Sequence, residues 1–476
     1  MKLSMSLGPL GWLLVMALVL MFALPRVPLT MAFSNGEAAS LVLGQPDFRT
    51  NSSSPSTWMG PVNPWVVAFD PSGNLWTELV PDGMVIEYKA PLTSGMSPSL
   101  VIGAPSDDGA GLSWSANSGS PNALSNPQGI SFDRSGDLWV VDSYGQRVLE
   151  YMAPFSNGEP PSVSINQTAG GQNTNATGWI VEPPVFKDPT GIAFDGSGDL
   201  WIADFGNNRV LEYSPPFSNG SLPSLVVGQA NLTSTFHPTS PDCYGKSCTS
   251  PYEPYNQTTS DPATTRGGMI GPEGVTFDTA GDLWVADSGN SRVLEFTPPF
   301  SDGMEASHVV GEPTFTANTT AITITQHQAN VPESVAFDKS GDLWVSDTRS
   351  NRVLEFIPPF TDGMNASVVL GQPDFFSYSS ALSQGGFDHA KGIAFDPSGN
   401  LWVADSGNNR ILEFSVNGAA QGSTTQTESS GPSGGGGGIP EFPYQLVAVA
   451  AFTAFVAASY FAIRRRGTGK SDLART

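Results

Sequence analysis

The sequence has few of the residues that build metal centres and nucleic-acid surfaces. Its 476 residues include 2 cysteines, 4 histidines and 21 Lys and Arg, against 44 Asp and Glu. Two cysteines cannot close a tetrahedral zinc site. A net charge of −23 repels the phosphates of nucleic acid. The composition therefore argues against zinc and against nucleic acid, and the acidic surface by itself identifies no partner.

Catalytic signatures are also scarce. No H-E-x-x-H motif occurs, and of the histidines at 237, 308, 327 and 389 only His389 lies near the first strand of a repeat described below. We therefore assign no catalytic residue and expect no cofactor, with calcium left open.

The chain has few charged residues and many residues that favour turns. Charged residues make up 14% of the chain and aromatic residues 10%, while there are 52 glycines and 40 prolines. This mixture predicts many short strands joined by turns, because long amphipathic helices need more Ala, Glu, Lys and Leu. We predict an all-β protein.

Long apolar runs occur only at the two ends. Residues 1–32 have the charge, apolar core and small residues of a secretory signal peptide, with an uncleaved anchor as the alternative. Residues 444–463 are long enough for a transmembrane helix, and the arginines at 464–466 predict that the short tail 464–476 is cytoplasmic. We expect a single-pass, cell-surface protein with the chain between these segments outside.

Two further features fit an extracellular chain. Cys243 and Cys248 lie in one loop, CYGKSC, and are expected to form a local disulfide. Glycosylation sequons of the Asn-x-Ser/Thr type occur at eight asparagines, at positions 51, 166, 175, 219, 231, 256, 318 and 365.

A six-fold repeat organises the middle of the chain. The phrase GDLWVADS and its variants occur six times, and the intervals between their tryptophans are 63, 62, 83, 60 and 58 residues. The long interval holds the cysteine loop, which is therefore an insertion. The six tryptophans are Trp76, Trp139, Trp201, Trp284, Trp344 and Trp402.

Each repeat contains four strand-like pieces. In the last one, GIAFD (392–396), NLWVAD (400–405) and RILEF (410–414) are separated by turns, with Gly399 suited to positive φ. Elsewhere a fourth piece such as SLVVGQ (224–229) follows. Sheets that are apolar on both faces must pack against one another, and six of them in a ring make a β-propeller.

The fourth pieces are offset against the LW strands. SLVLGQ (40–45) precedes every LW strand, whereas the last repeat ends near residue 418 with no fourth strand after it. We predict that strand 40–45 pairs with 410–414 and completes the last blade, which leaves no open sheet edge.

The phrase GIAFDPSGNLWVADSGNNRILEF resembles the NHL repeat, and so do its counterparts in four other blades. The resemblance covers about residues 38–416 and implies a six-bladed propeller, which we place at 33–417. The first repeat departs from the pattern, with Leu79 and Met84 where the others have Asp and Arg, and a different turn is expected there. The stalk 418–443, with its Pro-Glu-Phe-Pro motif, resembles the membrane-anchored tails of archaeal surface proteins.

The recurring polar residues are interpreted as structural. In five of the six repeats an Asp ends the LW strand and an Arg follows five residues later, and an active site is normally unique within a ring. The Asp is expected to accept backbone hydrogen bonds and the Arg to brace it. The DPSGN-type turns lack the spacing of a calcium loop and are interpreted as turns.

Function is expected where the repeats differ. The residue near the start of each innermost strand varies, and the six positions should surround one mouth of the central channel: Trp65, Gln128, Thr190, Glu273, Glu333 and Lys391. In six-bladed lactonase-like propellers, which these repeats resemble, carboxylates near such positions hold calcium, so Glu273 and Glu333 are calcium candidates. The plain alternative is a solvated rim.

Two functions follow from this pattern. The first is a non-catalytic module that binds a protein, a glycan or a small ligand at the mouth or on the insertion 230–271, since long loops on a rigid scaffold often carry binding. The alternative is a calcium-dependent hydrolase or lyase of the lactonase or amidating-lyase type. The fold alone does not decide between them.

Overall fold

A computed structural model describes residues 33–52, 63–79, 83–103, 123–165, 186–232, 234, 265–317 and 324–416. The chain divides into two compact units, 1–422 and 423–476, and the second lies outside the described residues. So do the predicted signal peptide, the cysteine loop, the stalk, the transmembrane segment and the tail. Within the described ranges, no helix is long and apolar enough to cross a membrane.

Twenty-four strands in the described part of the chain form six four-stranded antiparallel sheets, the blades of a propeller. Blade one consists of Ala68–Phe69 (β2), Leu75–Leu79 (β3), Met84–Tyr88 (β4) and Leu100–Ile102 (β5). Blade two consists of Pro127–Phe132 (β6), Leu138–Asp142 (β7), Arg147–Tyr151 (β8) and Val163–Ile165 (β9). Blade three consists of Pro189–Phe194 (β10), Leu200–Asp204 (β11), Arg209–Tyr213 (β12) and Leu225–Val227 (β13).

The other three blades repeat this order. Blade four consists of Pro272–Phe277 (β14), Leu283–Asp287 (β15), Arg292–Phe296 (β16) and His308–Val310 (β17). Blade five consists of Pro332–Phe337 (β18), Leu343–Asp347 (β19), Arg352–Phe356 (β20) and Val368–Leu370 (β21). Blade six consists of Ala390–Phe395 (β22), Leu401–Asp405 (β23), Arg410–Phe414 (β24) and, from the start of the chain, Leu41–Leu43 (β1). Short 3-10 turns follow the second strand in blades three to six, at Phe205–Asn207, Ser288–Asn290, Thr348–Ser350 and Ser406–Asn408.

The tryptophans fasten each blade to the next. All six are at most 1% exposed, and each packs edge-on against at least one phenylalanine of the following blade. Trp201, for example, has its ring centroid 5.7 Å from that of Phe277 and 4.8 Å from that of Phe300. Edge-to-face packing of this kind adds to the burial of large apolar surfaces, which explains why the same residue recurs in every blade.

The ring closes as the offset of the repeats predicts. β1 pairs with β24 in the register Leu41↔Glu413, Val42↔Leu412 and Leu43↔Ile411. The strand is shorter than predicted, because Gly44 turns the chain away with φ of 88°. Phe33, just before it, packs edge-on against Trp344 at 4.9 Å between centroids. The N-terminal segment thus supplies both a strand and a ring contact to blade six.

The Asp–Arg pairs are structural, as predicted. In blade three, Asp204 Oδ2 accepts a hydrogen bond from Arg209 Nε at 2.7 Å, and Asp204 Oδ1 accepts one from the backbone N–H of Lys187 at 2.7 Å. The same 2.7 Å ion pair recurs in blades two, four, five and six. In blade one Leu79 lies opposite Met84 instead, and this strand pair is joined without the ion pair.

Candidate functional site

The innermost strands bring the six predicted mouth positions together. They surround a cavity of about 130 Å³ to which all six blades contribute. Five of the six side chains belong to residues that line it, namely Trp65, Gln128, Thr190, Glu273 and Glu333. Lys391 joins them through contacts with two of these residues, described next. The positions therefore form one site in space, although they are spread over more than three hundred residues of sequence.

Lys391 is the centre of a buried polar contact at this mouth. Its Nζ lies 2.9 Å from Glu333 Oε2 and 3.5 Å from the centroid of the Trp65 ring. Both partners of the ion pair are more than nine-tenths buried. A desolvated ammonium over an indole face gains a cation–π interaction in addition to its ion pair. Since Lys391 and Trp65 come from blades six and one, this contact exists only because the ring closes.

Glu273 is the least compensated acid of the group. Burial raises the pKa of Glu273 well above its ordinary value, the neighbouring Glu333 carboxylate raises it further, and Lys391 opposes the rise. Two like charges at one small site cannot both ionise freely. The mouth therefore favours a proton or another positive group beside Glu273.

Glu78 is a buried acid that the sequence analysis missed. It lies on β3 with no exposed surface, and its Oε1 accepts a hydrogen bond from the backbone N–H of Trp65 at 2.8 Å. Its Oε2 has no hydrogen-bond partner. Burial raises the pKa of Glu78 well above its ordinary value, against the opposing effects of hydrogen bonds and Lys391. The signal was available, because the other LW strands have Val, Ala or Ser at this position.

The remaining mouth residues are structural or neutral. Thr190 Oγ1 donates a hydrogen bond to the carbonyl of Pro272 at 3.2 Å and so ties blade three to blade four. Gln128 lines the wall across the ring from blade five. His389, the histidine nearest the mouth in sequence, is exposed, and its Nδ1 lies 2.7 Å from Asp388 Oδ1.

Glu273 and Glu333 are not part of a group of three acids close enough to share one cation among the described residues. In the described residues, the groups of three acids that are close enough to share one ion lie elsewhere and include neither of them. Glu333 is instead held by Lys391.

Comparison with known proteins agrees with this architecture. Four stretches match the NHL repeat, at residues 186–213, 270–296, 330–356 and 387–414. With the six sheets described above, they define an all-β, six-bladed propeller that contains NHL repeats. No curated protein matches the chain.

Some solved structures resemble the chain at low identity. One is a catalytically inactive virginiamycin B lyase from Staphylococcus aureus with quinupristin, at 14% identity and a TM-score of 0.40, covering 74% of this chain and 79% of that one. Another is a streptogramin B lyase, at 14% identity and a TM-score of 0.37, covering 76% of this chain and 95% of that one. At these values the likeness carries no argument about activity, and the architecture rests on the strand pairing of this chain.

Proposed function

We propose that the chain is a binding module of the cell surface and that its ligand enters the channel mouth. The observation that carries this proposal is the preformed polar half-ring of Glu273, Glu333, Lys391 and Trp65 around a cavity of about 130 Å³. Pockets that enclose a drug-sized ligand usually measure about 300–1,000 Å³. The mouth therefore suits one end group of a larger protein or glycan, or a very small ligand.

The charges at the mouth favour a ligand group that donates hydrogen bonds. Glu273 and Glu333 face the cavity, and only one of them has Lys391 as a close partner. An amine or a set of sugar hydroxyls would donate hydrogen bonds to the Glu273 carboxylate. Aromatic and charged residues that are buried in a pocket are the usual anchors of binding energy.

This proposal is tested by measuring the binding of the full chain to an array of candidate ligands. Binding to an array of glycans and of peptides with free amines should fall at least tenfold in the double variant Glu273→Gln/Glu333→Gln. The control is Glu305→Gln, which removes a charge from an exposed position of blade four outside the cavity. Equal binding by the wild type, the double variant and the control would contradict a ligand site at the mouth.

The alternative is a calcium-dependent hydrolase or lyase that uses Glu273 and Glu333. The raised pKa of Glu273 favours a general-acid role for this carboxyl, in which it holds a proton and does not ligate calcium. Such an enzyme needs several oxygen ligands within about 2.6 Å of one ion. Calcium that the wild type binds and the mouth double variant loses would favour the enzyme over the binding module.

We further propose that the propeller is exported and held at the membrane by residues 444–463. The support is the signal-like start, the apolar run and the arginines that follow it. Protease added to intact cells should release the propeller by cutting the stalk at 418–438. A propeller that stays protected until the cells are lysed would contradict this topology.

A further inference from the structure

The hairpin that joins the first and second strands places acids at the end of the blade opposite the mouth. An Asp begins each of these turns, and an Asp or Asn ends it. A Glu from the third strand lies beside them. In four blades all three are acids whose ligand atoms lie within 4.8 Å of one another: Asp133, Asp137 and Glu150; Asp195, Asp199 and Glu212; Asp278, Asp282 and Glu295; Asp338, Asp342 and Glu355.

The other two blades show how this arrangement is balanced by an amide. In blade six Asn400 Nδ2 donates to Asp396 Oδ2 and to Glu413 Oε1, each at 2.9 Å. In blade one Asn74 Nδ2 donates to Asp70 Oδ2 at 2.8 Å. An Asp in place of the Asn cannot donate these bonds when it is ionised. The four triads therefore lack the amide donor that the two Asn blades have.

Blade four has a second, independent deficit. A serine before the fourth strand donates to the Glu in each of the other five blades, for example Ser367 Oγ to Glu355 Oε2 at 2.9 Å. In blade four the hydroxyl of Ser307 pairs with that of Thr297 at 2.8 Å. Glu295 is 7% exposed, and its Oε2 has no hydrogen-bond partner.

The surroundings of Glu295 offer little compensation. Among the described residues, the one basic group near it is His308, whose Nε2 lies 4.0 Å from Glu295 Oε2. That imidazole carries a charge only when it is protonated, and its Nδ1 already lies 3.2 Å from Asp362 Oδ1. A buried carboxylate oxygen without a hydrogen-bond partner is costly. Here it lies beside two further carboxylates.

We propose that Asp278, Asp282 and Glu295 bind a divalent cation, and that this cation is calcium. The ligands are all carboxylate oxygens, which calcium and magnesium prefer and zinc does not. Asp278 Oδ1 is used by the backbone N–H groups of Ala280 and Asp282, so Asp278 offers Oδ2. Together with one oxygen each from Asp282 and Glu295 this leaves several positions for water. Calcium tolerates such irregular coordination, whereas magnesium demands a near-ideal octahedron.

The test is calorimetric titration of the full chain with calcium chloride after the chain has been stripped with a chelator. We expect at least one calcium per chain with a dissociation constant of about 0.1–1 mM, the range of extracellular calcium modules. Asp282→Asn copies what blades one and six contain, so the blade should still fold, and it should bind one calcium fewer. The control Glu305→Gln removes the same charge outside the triad and should bind as the wild type does.

Two results would overturn this inference. One is the absence of saturable calcium binding by the wild type. The other is an Asp282→Asn chain that is folded by circular dichroism and binds the same number of ions with the same affinity. The mouth variant Glu273→Gln/Glu333→Gln separates this site from the proposed function. Calcium at the triad should persist in that variant, whereas calcium at the mouth would be lost.

Discussion

The charged residues at the mouth make contacts that the repeat pattern does not predict. The repeats differ at the six mouth positions, and the structure brings these positions together at one mouth. Their contacts could not be read from sequence, because Lys391 and Trp65 meet only across the closed ring. Glu78 was overlooked since it sits on a strand that otherwise reads as apolar core. Its burial makes it a source of pH dependence.

Substituting Glu78 by Gln should flatten the dependence of stability on pH. Burial raises the folded pKa of Glu78 above its ordinary value of 4.5, so the folded state holds the proton more tightly than the unfolded state. Stability from this group is therefore present at low pH and is lost as pH rises from about 4.5 through the folded pKa. Gln can still accept the hydrogen bond from Trp65 and does not titrate. Melting temperatures of both chains between pH 5 and pH 8 measure the difference, and parallel curves would contradict the prediction.

At the scale of elements, the innermost strands approach one another so closely that side chains are excluded. Gly129, Gly191, Gly274 and Gly392 each follow a mouth residue. A Cβ built on Gly191 would lie 2.0 Å from the carbonyl oxygen of Glu273 in the next blade, and one on Gly392 would lie 2.5 Å from that of Trp65. From sequence these glycines resemble ordinary strand-start glycines. Their role depends on the distance between blades, which local patterns do not contain.

Gly191→Ala should destabilise the ring. The added methyl group overlaps backbone that cannot rotate away, and overpacking of this kind costs about 1–3 kcal/mol. Gly196→Ala is the matched control, because a Cβ there meets nothing within 4 Å. Urea unfolding of the three chains gives the free energies of unfolding. A Gly191→Ala chain as stable as the control would show that the blades move apart without cost.

The triads show a different limit of prediction from sequence. The turn residues Asp278 and Asp282 were recognised as turn formers, and they are: Asp278 Oδ1 accepts two backbone hydrogen bonds within the turn. Glu295 lies on another strand and meets them only through the strand register, in which it pairs with Trp284. Short-range spacing rules for calcium loops therefore miss the arrangement.

For the whole molecule, the number of blades and the closure of the ring were predictable from sequence. The repeat occurs six times, and one fourth strand lies before the first repeat instead of after the last. The count of LW strands and the offset of the fourth strands led to the observed pairing of β1 with β24. The contacts by which Phe33 and Phe48 contribute to ring closure were not predicted from sequence. Phe33 packs on Trp344, and the carbonyl oxygen of Phe48 accepts a hydrogen bond from Arg410 at 2.5 Å.

Closure by the N-terminal segment is therefore the feature on which the ring should depend most. Deleting residues 33–48 removes β1 and its flanking contacts, leaves blade six with three strands and an open edge, and should destabilise the whole propeller. Phe33→Ala isolates the ring contact: Phe33 is 6% exposed, and truncation of a buried Phe costs about 3–5 kcal/mol. Phe376→Ala serves as the control, because this ring is 67% exposed and such surface changes stay within about 0.5 kcal/mol. Thermal unfolding followed by tryptophan fluorescence compares the four chains. If Phe33→Ala melted with the control, the contact with Trp344 would not contribute to closure; if the deleted chain did as well, the ring would not need its N-terminal strand.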